Sequence, residues 1–537
     1  MKKIIICLLV VLGTSQFSCK KFLNITPVDR LTGNNFYRSV EDIEANIIDM
    51  YGTLFQKYTV TNTAGATGEF RSGEVIPAEQ APSWRYDIAQ LGGHNRRAPN
   101  PRGVQGRMTI PASTVFNDRT LNNVMFDFSG DSYEFHTLTN WNDYYRVIQS
   151  ANLLVSKLEE GIPALSADQT KRYLAEAKFI RNYCYFTLVR LYGNVVYYTN
   201  PYQKDALARE NMVSVIKKCI ADLKPIKNDL PWSLSDPTQR GVRGSRGAVV
   251  GLLMNMNMWN AGFDAGNKQA YYEETVALGR EITSSNAFRL LPLSDWATVS
   301  RGRSEESLFE LFSTLNYGSN GASRWAPFGE TFIHFPYRLP EYSFRYSAAI
   351  FTEEYMRKLY QDEAEPRLLT WFDAPFDNNS ETFQLKKFAG NTVIDSSDPN
   401  NTANPDNSYL IIRYADAILL LAEALAEVEG ENSSDAIAML NQIRIRAGAS
   451  SYPSGNTIDA NGLKDAIFWE RAKELMGEGT HYFDLVRTRR VLDRKYTDNP
   501  LTPDKFNRGA WAWPINSSAL VNNKFMELNN YWIGDGF

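Results

Sequence analysis

Aromatic side chains in two irregular stretches are the residues of this chain best suited to binding chemistry. Trp84, Arg85 and Tyr86 are consecutive in a stretch rich in Gly, Pro and Asn, and Tyr317 and Trp325 flank a later stretch of Gly, Ser and Asn. A sugar ring presents a face of C–H groups ringed by hydroxyls, so proteins hold it with an aromatic platform and nearby polar groups. Both clusters therefore suit saccharide binding. The alternative, which the sequence leaves open, is that each ring fills a gap on a helical scaffold.

The most closely grouped acids, Glu470, Glu474 and Glu478, lie on one predicted helix beside Arg471 and Lys473. At spacings of four residues we expect a solvated or ion-paired face. Two carboxylates suffice for glycoside hydrolysis if the fold brings them together, so a hydrolase remains an alternative. The sequence has no serine nucleophile elbow, no HExxH motif and no phosphate loop. We therefore expect no enzyme, no catalytic residue and no cofactor.

Metal-ligand spacing is also lacking. The Asp-rich stretches at Asp395–Asp398 and Asp406 do not have the spacing of an EF-hand loop. The four histidines fall in different predicted elements: His94, His136, His334 and His481. We predict no specific metal site.

The N-terminus has the pattern of a lipoprotein signal peptide. Lys2 and Lys3 precede an apolar run over residues 4–12, and small or polar residues lead to Cys19. The run is shorter than the roughly twenty residues that a membrane-spanning helix needs. We therefore predict that residues 1–18 are removed and that Cys19 carries the acyl chains of a membrane anchor. The alternative is an ordinary cleavage site at which Cys19 is incidental.

Composition and charge indicate an ordinary globular chain. Its 537 residues are 43% hydrophobic and 22% charged, with a net charge of -4. A mildly acidic protein is a poor nucleic-acid binder, because phosphate contacts require clustered Lys and Arg. No stretch has the composition of a linker, so we predict one domain over residues 19–537. Cys184 and Cys219 each lie in a predicted helix, which favours two buried thiols over a disulfide.

Amphipathic helices in pairs account for most of the remaining chain. In the stretch from Tyr414, apolar residues recur at spacings of four and three until Gly430, and Ser433 is a good N-cap for the next helix. Two helices joined by a few residues pack antiparallel. Earlier helices are predicted at residues 36–57, 141–158, 170–192, 247–259 and 269–282. Residues 58–139 and 286–410 show no sustained period, and we expect them to be long irregular inserts that carry function.

The C-terminal pattern resembles that of the SusD/RagB family. The residues that carry the resemblance are Arg413-Tyr414-Ala415-Asp416, Glu423-Ala424, Asn441, Arg444, Arg446-Ala447-Gly448, Glu470-Arg471, Glu474-Leu475, Glu478-Gly479, Phe483-Asp484-Leu485 and Arg487. Thr480-His481 stands where the family usually has Arg before the aromatic run, a difference that concerns one local salt bridge. Ala175-Glu176-Ala177 and Tyr192-Gly193 extend the similarity toward the N-terminus.

Members of this family are outer-membrane lipoproteins that capture nutrients, mostly glycans, for a TonB-dependent transporter. The resemblance implies an all-α, mainly helical SusD-like fold, with tetratricopeptide-type helical pairs on one side and the inserts on the opposite face. It also implies a cell-surface protein that binds oligosaccharides through an early and a middle loop and delivers them to a SusC-like transporter. In this chain those loops contain Trp84, Arg85, Tyr86, Tyr317 and Trp325. Some members serve peptide uptake, so a peptide-binding role remains an alternative.

Overall fold

The computed structural model describes residues 37–61, 67–77, 138–314, 328–338, 341, 344–347, 349–390, 405–516, 519–520 and 523–532. In these residues helices predominate and strands are short, as expected for a mainly helical fold. The helices are α1 (Val40–Thr61), α2 (Asn142–Glu160), α3 (Ala167–Tyr192), α4 (Met212–Leu223), α5 (Arg246–Phe263), α6 (Lys268–Ser284), α7 (Trp296–Arg301), α8 (Glu353–Leu359), α9 (Pro366–Trp371), α10 (Tyr414–Glu429), α11 (Ser434–Arg446), α12 (Leu463–Glu474), α13 (His481–Arg487) and α14 (Pro503–Asn507). The strands are β1 (Val75–Pro77), β2 (Ser307–Leu311), β3 (Ala349–Phe351), β4 (Phe372–Asp373), β5 (Gln384–Leu385) and β6 (Tyr409–Arg413).

The predicted helical pairs are confirmed. Helix α2 packs on α3, α5 on α6 and α10 on α11. Contacts of α1 with α2, of α4 with both α3 and α5, and of α6 with α10 join the pairs into a row. The expected caps are present: the Ser433 hydroxyl accepts from the amide of Ala436 at 3.1 Å, and Ser39 and Asp42 cap α1 reciprocally. Each such cap satisfies amide groups that the helix itself leaves unpaired.

The apolar faces of these helices share one core. Trp141, Trp259 and Trp469 are at most 5% exposed and belong to it. Cys184 and Cys219 are buried free thiols, as their helical positions predict. Burial of the thiols raises the pKa of both cysteines, so they stay protonated near neutral pH.

The predicted inserts are less irregular than expected. Residues 58–139 contribute the last turn of α1 and strand β1, and residues 286–410 contribute helices α7–α9 and strands β2–β5. The expectation of irregular structure is wrong for these elements. The reason is their length, because strands of two to five residues and helices of six or seven are too short to show a repeating pattern. Three antiparallel pairs result: β1 with β3, β2 with β6, and β4 with β5.

A buried ion-pair network links α12 to the elements around it. Glu470, Glu474 and Glu478 are almost fully buried, so the expectation of an ion-paired face is confirmed and that of a solvated one is wrong. The expectation of a single helix is wrong for Glu478, which lies in the turn after α12 ends at Glu474. Arg367 of α9 contacts Glu470 at 2.7 Å and Glu474 at 3.2 Å. Arg413 of β6 contacts Glu474 at 2.8 Å and Glu478 at 2.9 Å. The carboxylates face inward because cations from other elements meet them there, which the spacing along one helix cannot show.

The remaining cations of this network come from α11 and from the segment before β6. Arg444 contacts Glu470 at 2.9 Å, Arg446 also pairs with Glu474, and Lys387 contacts Glu478 at 2.7 Å. These cations hold the pKa of Glu474 well below its usual range despite the opposing effect of its burial, and they lower that of Glu470.

Removal of one partner from this network should be costly, because the other charges stay buried without compensation. We expect Arg367→Met to lower the free energy of unfolding by about 3–5 kcal/mol. Guanidinium denaturation followed by tryptophan fluorescence measures the change.

The matched control is Arg357→Met on α8. Its side chain is 52% exposed and pairs with Glu353 at the surface, so this variant should change stability little. Equal losses in the two variants would contradict the structural role of the network.

Candidate ligand-binding region

The residues predicted to bind a ligand lie outside the described part of the chain. These residues are Trp84, Arg85, Tyr86, Tyr317 and Trp325. The predicted anchor residue, Cys19, also lies outside the described part. Their assignment therefore stays a prediction. The structure does describe segments close to both clusters, namely strand β1 before Trp84 and the turn at Phe328–Phe332 after Trp325.

A two-stranded sheet brings the two inserts to one place. Strand β1 pairs antiparallel with β3, with Val75 opposite Phe351 and Pro77 opposite Ala349. The chain leaves β1 at Pro77, seven residues before Trp84. It enters β3 at Ala349, which belongs to the second insert. A strand of the first insert therefore lies directly beside a strand of the second.

The segment after Trp325 packs on the same sheet. A 3₁₀ turn at Phe328–Phe332 begins three residues after Trp325. Phe332 stacks on Phe351 of β3, with ring centroids 4.9 Å apart and an angle of 15°. The Ser347 hydroxyl lies within hydrogen-bond distance of the carbonyls of Phe332, at 2.9 Å, and Phe383, at 2.8 Å, and its one proton can be given to either. These contacts hold the turn against the sheet, so both predicted aromatic clusters leave a common base.

Residues 67–74 fasten this base to the C-terminal part of the protein. Arg71 is buried, donates to the carbonyls of Ala510 and Trp511, and lies over the rings of Tyr482 and Trp513. Gly68 approaches Gly479 so closely that a Cβ atom at residue 68 would lie 1.9 Å from the Gly479 oxygen. Only glycine permits this contact between the two backbones.

Two buried carboxyl groups lie in this base. Glu69 accepts from the amide of Gly479 at 3.1 Å, and Glu74 has one oxygen without a hydrogen-bond partner among the described residues. Burial raises the pKa of each to about 8. Both groups therefore favour the neutral acid form at pH 7, and the base contains little negative charge. The sequence gives no signal for either residue, since this stretch has no regular pattern.

His481 is connected to the same base through Tyr355, whose ring stacks on Phe351 of β3. Its ring is buried near those of Tyr355, Phe468 and Trp469, with centroid distances of 5.9, 5.9 and 6.4 Å. Burial lowers its pKa to about 4, so the imidazole is neutral near pH 7. At this position a neutral ring packs among aromatic side chains and makes no salt bridge with another described residue.

The helical acids do not form an accessible catalytic pair. Glu470, Glu474 and Glu478 each contact Arg or Lys side chains, and their side chains are almost fully buried. Glu470 lines a cleft of about 330 Å³, where it lies beside Arg444 and Lys473. Among the described residues, no group of three or more His, Cys, Asp or Glu side chains is placed to hold a metal ion. None of the described helices is both long and apolar enough to cross a membrane.

Comparison with known proteins gives consistent matches along the chain. Residues 294–532 match the model of the SusD family, and residues 90–256 match a SusD-like family described as starch-binding and associating with the outer membrane. A SusD-like protein of Formosa agariphila, P38, is 24% identical over 543 residues, which cover 95% of each chain.

Solved structures give the same result. A laminarin-binding SusD-like protein superposes with a TM-score of 0.66 at 21% identity, covering 92% of this chain and 99% of that one. The crystal structure of a SusD homologue from Bacteroides thetaiotaomicron superposes with a TM-score of 0.77 and 31% identity, covering 93% of this chain and 99% of that one. On the evidence of this identity, the matched models and the shared fold, the chain belongs to the SusD/RagB family.

Proposed function

We propose that the protein is a surface lipoprotein that binds oligosaccharides and delivers them to a SusC-like TonB-dependent transporter in the outer membrane. The observation that carries the proposal is the shared base of the two inserts. Because β1 pairs with β3 and Phe332 stacks on β3, Trp84 and Trp325 extend from segments that are held together. The laminarin-binding relative supports a saccharide as the ligand class.

Binding in this proposal is non-covalent capture followed by release. Trp84, Tyr86 and Trp325 provide rings that stack on the C–H faces of sugars, while Arg85 donates hydrogen bonds to hydroxyl groups. Weak to moderate affinity suits a protein that must pass its ligand on, and stacking on a broad platform supplies that affinity without a deep pocket. No group transfer is involved.

The platform is tested by substitution of its tryptophans. We expect Trp84→Ala and Trp325→Ala each to weaken glycan binding by roughly tenfold, because each removes a stacking surface worth about 1–1.5 kcal/mol. Calorimetric titration of the full chain in detergent, against plant, fungal and host glycans and a peptide digest, measures the affinity.

The matched control is Tyr202→Ala, since this ring is 56% exposed and lies outside both inserts. It should leave the affinity unchanged. Binding of peptides only would assign the protein to peptide uptake, and a glycan that binds both tryptophan variants normally would show that the platform lies elsewhere.

The anchor is tested separately. Cys19→Ser removes the thiol that accepts acyl chains, so we expect the protein to move from the membrane fraction to the soluble fraction. The neighbouring Lys20→Ala should stay in the membrane fraction. Membrane retention of the Cys19 variant in the absence of other anchoring would refute lipidation at this residue.

The buried acid at the base predicts a pH dependence of stability. The pKa of Glu74 is about 8 in the folded protein against 4.5 as its ordinary value. Its contribution to stability is therefore fully present below pH 4.5 and is lost as the pH rises toward 8. Glu74→Gln keeps the shape of the neutral acid, so we expect this variant to exceed the wild type in free energy of unfolding by at least about 1 kcal/mol at pH 8.5.

The two proteins should differ little at pH 4.5. Urea denaturation at both pH values measures the effect, with the exposed Glu159→Gln as control. A stability difference between the Glu74 variant and the wild type that is the same at both pH values would show that Glu74 does not titrate as described.

A further inference from the structure

Basic side chains line a cleft of about 620 Å³. Its residues are far in the sequence from both aromatic clusters. Its walls come from the residues after α3, the end of α5, helix α14 and the C-terminal segment 524–530. Four of its lining residues are Arg209, Arg489, Arg508 and Lys524, and its one acid is Glu527. This is a local excess of positive charge on a chain whose net charge is -4.

Arg209 lies within the cleft wall and has no acidic partner in the described part of the chain. Its guanidinium donates to the carbonyls of Tyr192, Asn194 and Glu527, each at 2.6 Å, and to the side-chain oxygen of Asn529 at 2.8 Å. All four acceptors are neutral. Burial therefore lowers the pKa of Arg209 to about 10.

Arg489 is in the same situation. Its Nε and Nη2 atoms donate to the carbonyl of Gly262 at 3.1 and 2.8 Å, and its guanidinium lies 4.6 Å from the ring centroid of Phe263 and 4.3 Å from that of Phe506. Its Nη1 atom has no acceptor among the described residues. Burial lowers its pKa as well.

Other buried arginines of the protein show the opposite behaviour. Arg413, Arg444 and Arg487 contact carboxylates, and these raise their pKa values. Arg209 and Arg489 instead keep a partly desolvated charge that no carboxylate of the described residues compensates. An anion bound in the cleft would supply this compensation, because a charge taken out of water is stabilised by a partner of opposite sign.

The rim of the cleft offers further groups to such an anion. Lys524 is exposed and makes no ion pair among the described residues. The one ion pair of Arg508 in this part of the chain is a long contact of 3.8 Å with Asp504, and its Nη2 atom also donates to the carbonyl of Asn530 at 3.3 Å. The exposed ring of Phe525 stands beside Lys524. Asparagine amides complete the lining: Asn194, Asn507, Asn529 and Asn530.

We propose that this cleft binds a carboxylate-bearing sugar unit, such as a uronic acid, within an acidic oligosaccharide. The carboxylate lies against Arg489 and the rim cations, the hydroxyls meet the asparagine amides, and the C–H face lies on Phe525. The proposal deepens the proposed function by naming a ligand class and a second subsite, and it rests on that function for the saccharide nature of the ligand. A free carboxylate or sulfate shares part of this chemistry, so the test separates them.

The experiment titrates the full chain in detergent with trigalacturonate, with the neutral trigalactose, and with sodium acetate and sodium sulfate as competitors. We expect trigalacturonate to bind, with an affinity that falls as ionic strength rises because exposed charges on the rim are screened. Trigalactose should bind the cleft at least about tenfold more weakly, because it lacks the charge-assisted hydrogen bonds. If sulfate binds the cleft as tightly as trigalacturonate and displaces it at equal concentration, the sugar assignment is overturned.

The double variant Arg508→Gln/Lys524→Ala removes the exposed rim charges and leaves Arg209 and Arg489 in place. It should weaken trigalacturonate binding by roughly tenfold or more, whereas Lys171→Ala, an exposed lysine of α3 outside the cleft, should not. Thermal melting checks that both variants fold as the wild type does.

The tryptophan variants of the platform separate this inference from the proposed function. If the affinity for trigalacturonate falls in the cleft variant and not in the two tryptophan variants, the result supports the inference. If the affinity for trigalacturonate falls only in Trp84→Ala and Trp325→Ala, the cleft assignment is overturned and the platform stands. The same conclusion follows if the acidic trimer does not bind while a neutral glycan does. Binding of the acidic trimer in the cleft, with no glycan response to the tryptophan variants, overturns the platform and leaves the cleft.

Discussion

The buried carboxylates of α12 and of the turn that follows it constrain every element that packs around them. Glu470, Glu474 and Glu478 are nearly inaccessible to water, and a buried charge is tolerated only where opposite charges and hydrogen bonds surround it. Helix α9, helix α11 and strand β6 therefore have to bring Arg367, Arg444 and Arg413 to the same helix. The clear effect of this network is to exclude arrangements in which any of these cations is missing.

The same network reaches the base of the inserts. Lys387, from the end of the second insert, contacts Glu478, and the next residue, Gly479, donates its amide to Glu69 of the first. Strand β1 follows Glu69 within a few residues and pairs with β3. A short chain of contacts thus joins the helical scaffold to the two segments from which the predicted aromatic clusters extend. This connection explains how long inserts without helical pairing of their own can start from a defined geometry.

Part of this architecture is visible in the sequence, and the reason is local. Helices α10 and α11 are predictable because their apolar spacing, Gly430 and the cap at Ser433 all act within a few residues. The inward position of Glu470 is not predictable from its own helix, since Arg367 approaches from a segment more than a hundred residues earlier in the chain. Glu69 and Glu74 are missed for a similar reason. Their raised pKa values arise from burial by the C-terminal region, and nothing adjacent in the sequence indicates it.

Two kinds of saccharide contact are therefore assigned to different parts of the protein. The proposed function places stacking on Trp84 and Trp325 of the inserts, which suits neutral sugar faces. The second proposal places an acidic sugar against the cations around Arg489, on the C-terminal side of the helical scaffold. The central claim is that both inserts contribute to one platform above the β1–β3 sheet. A crystal structure with the preferred neutral oligosaccharide bound tests it most directly. The account predicts one sugar chain in contact with Trp84 and Trp325 together, and a sugar that touches neither ring, or only one with the other far away, would contradict it.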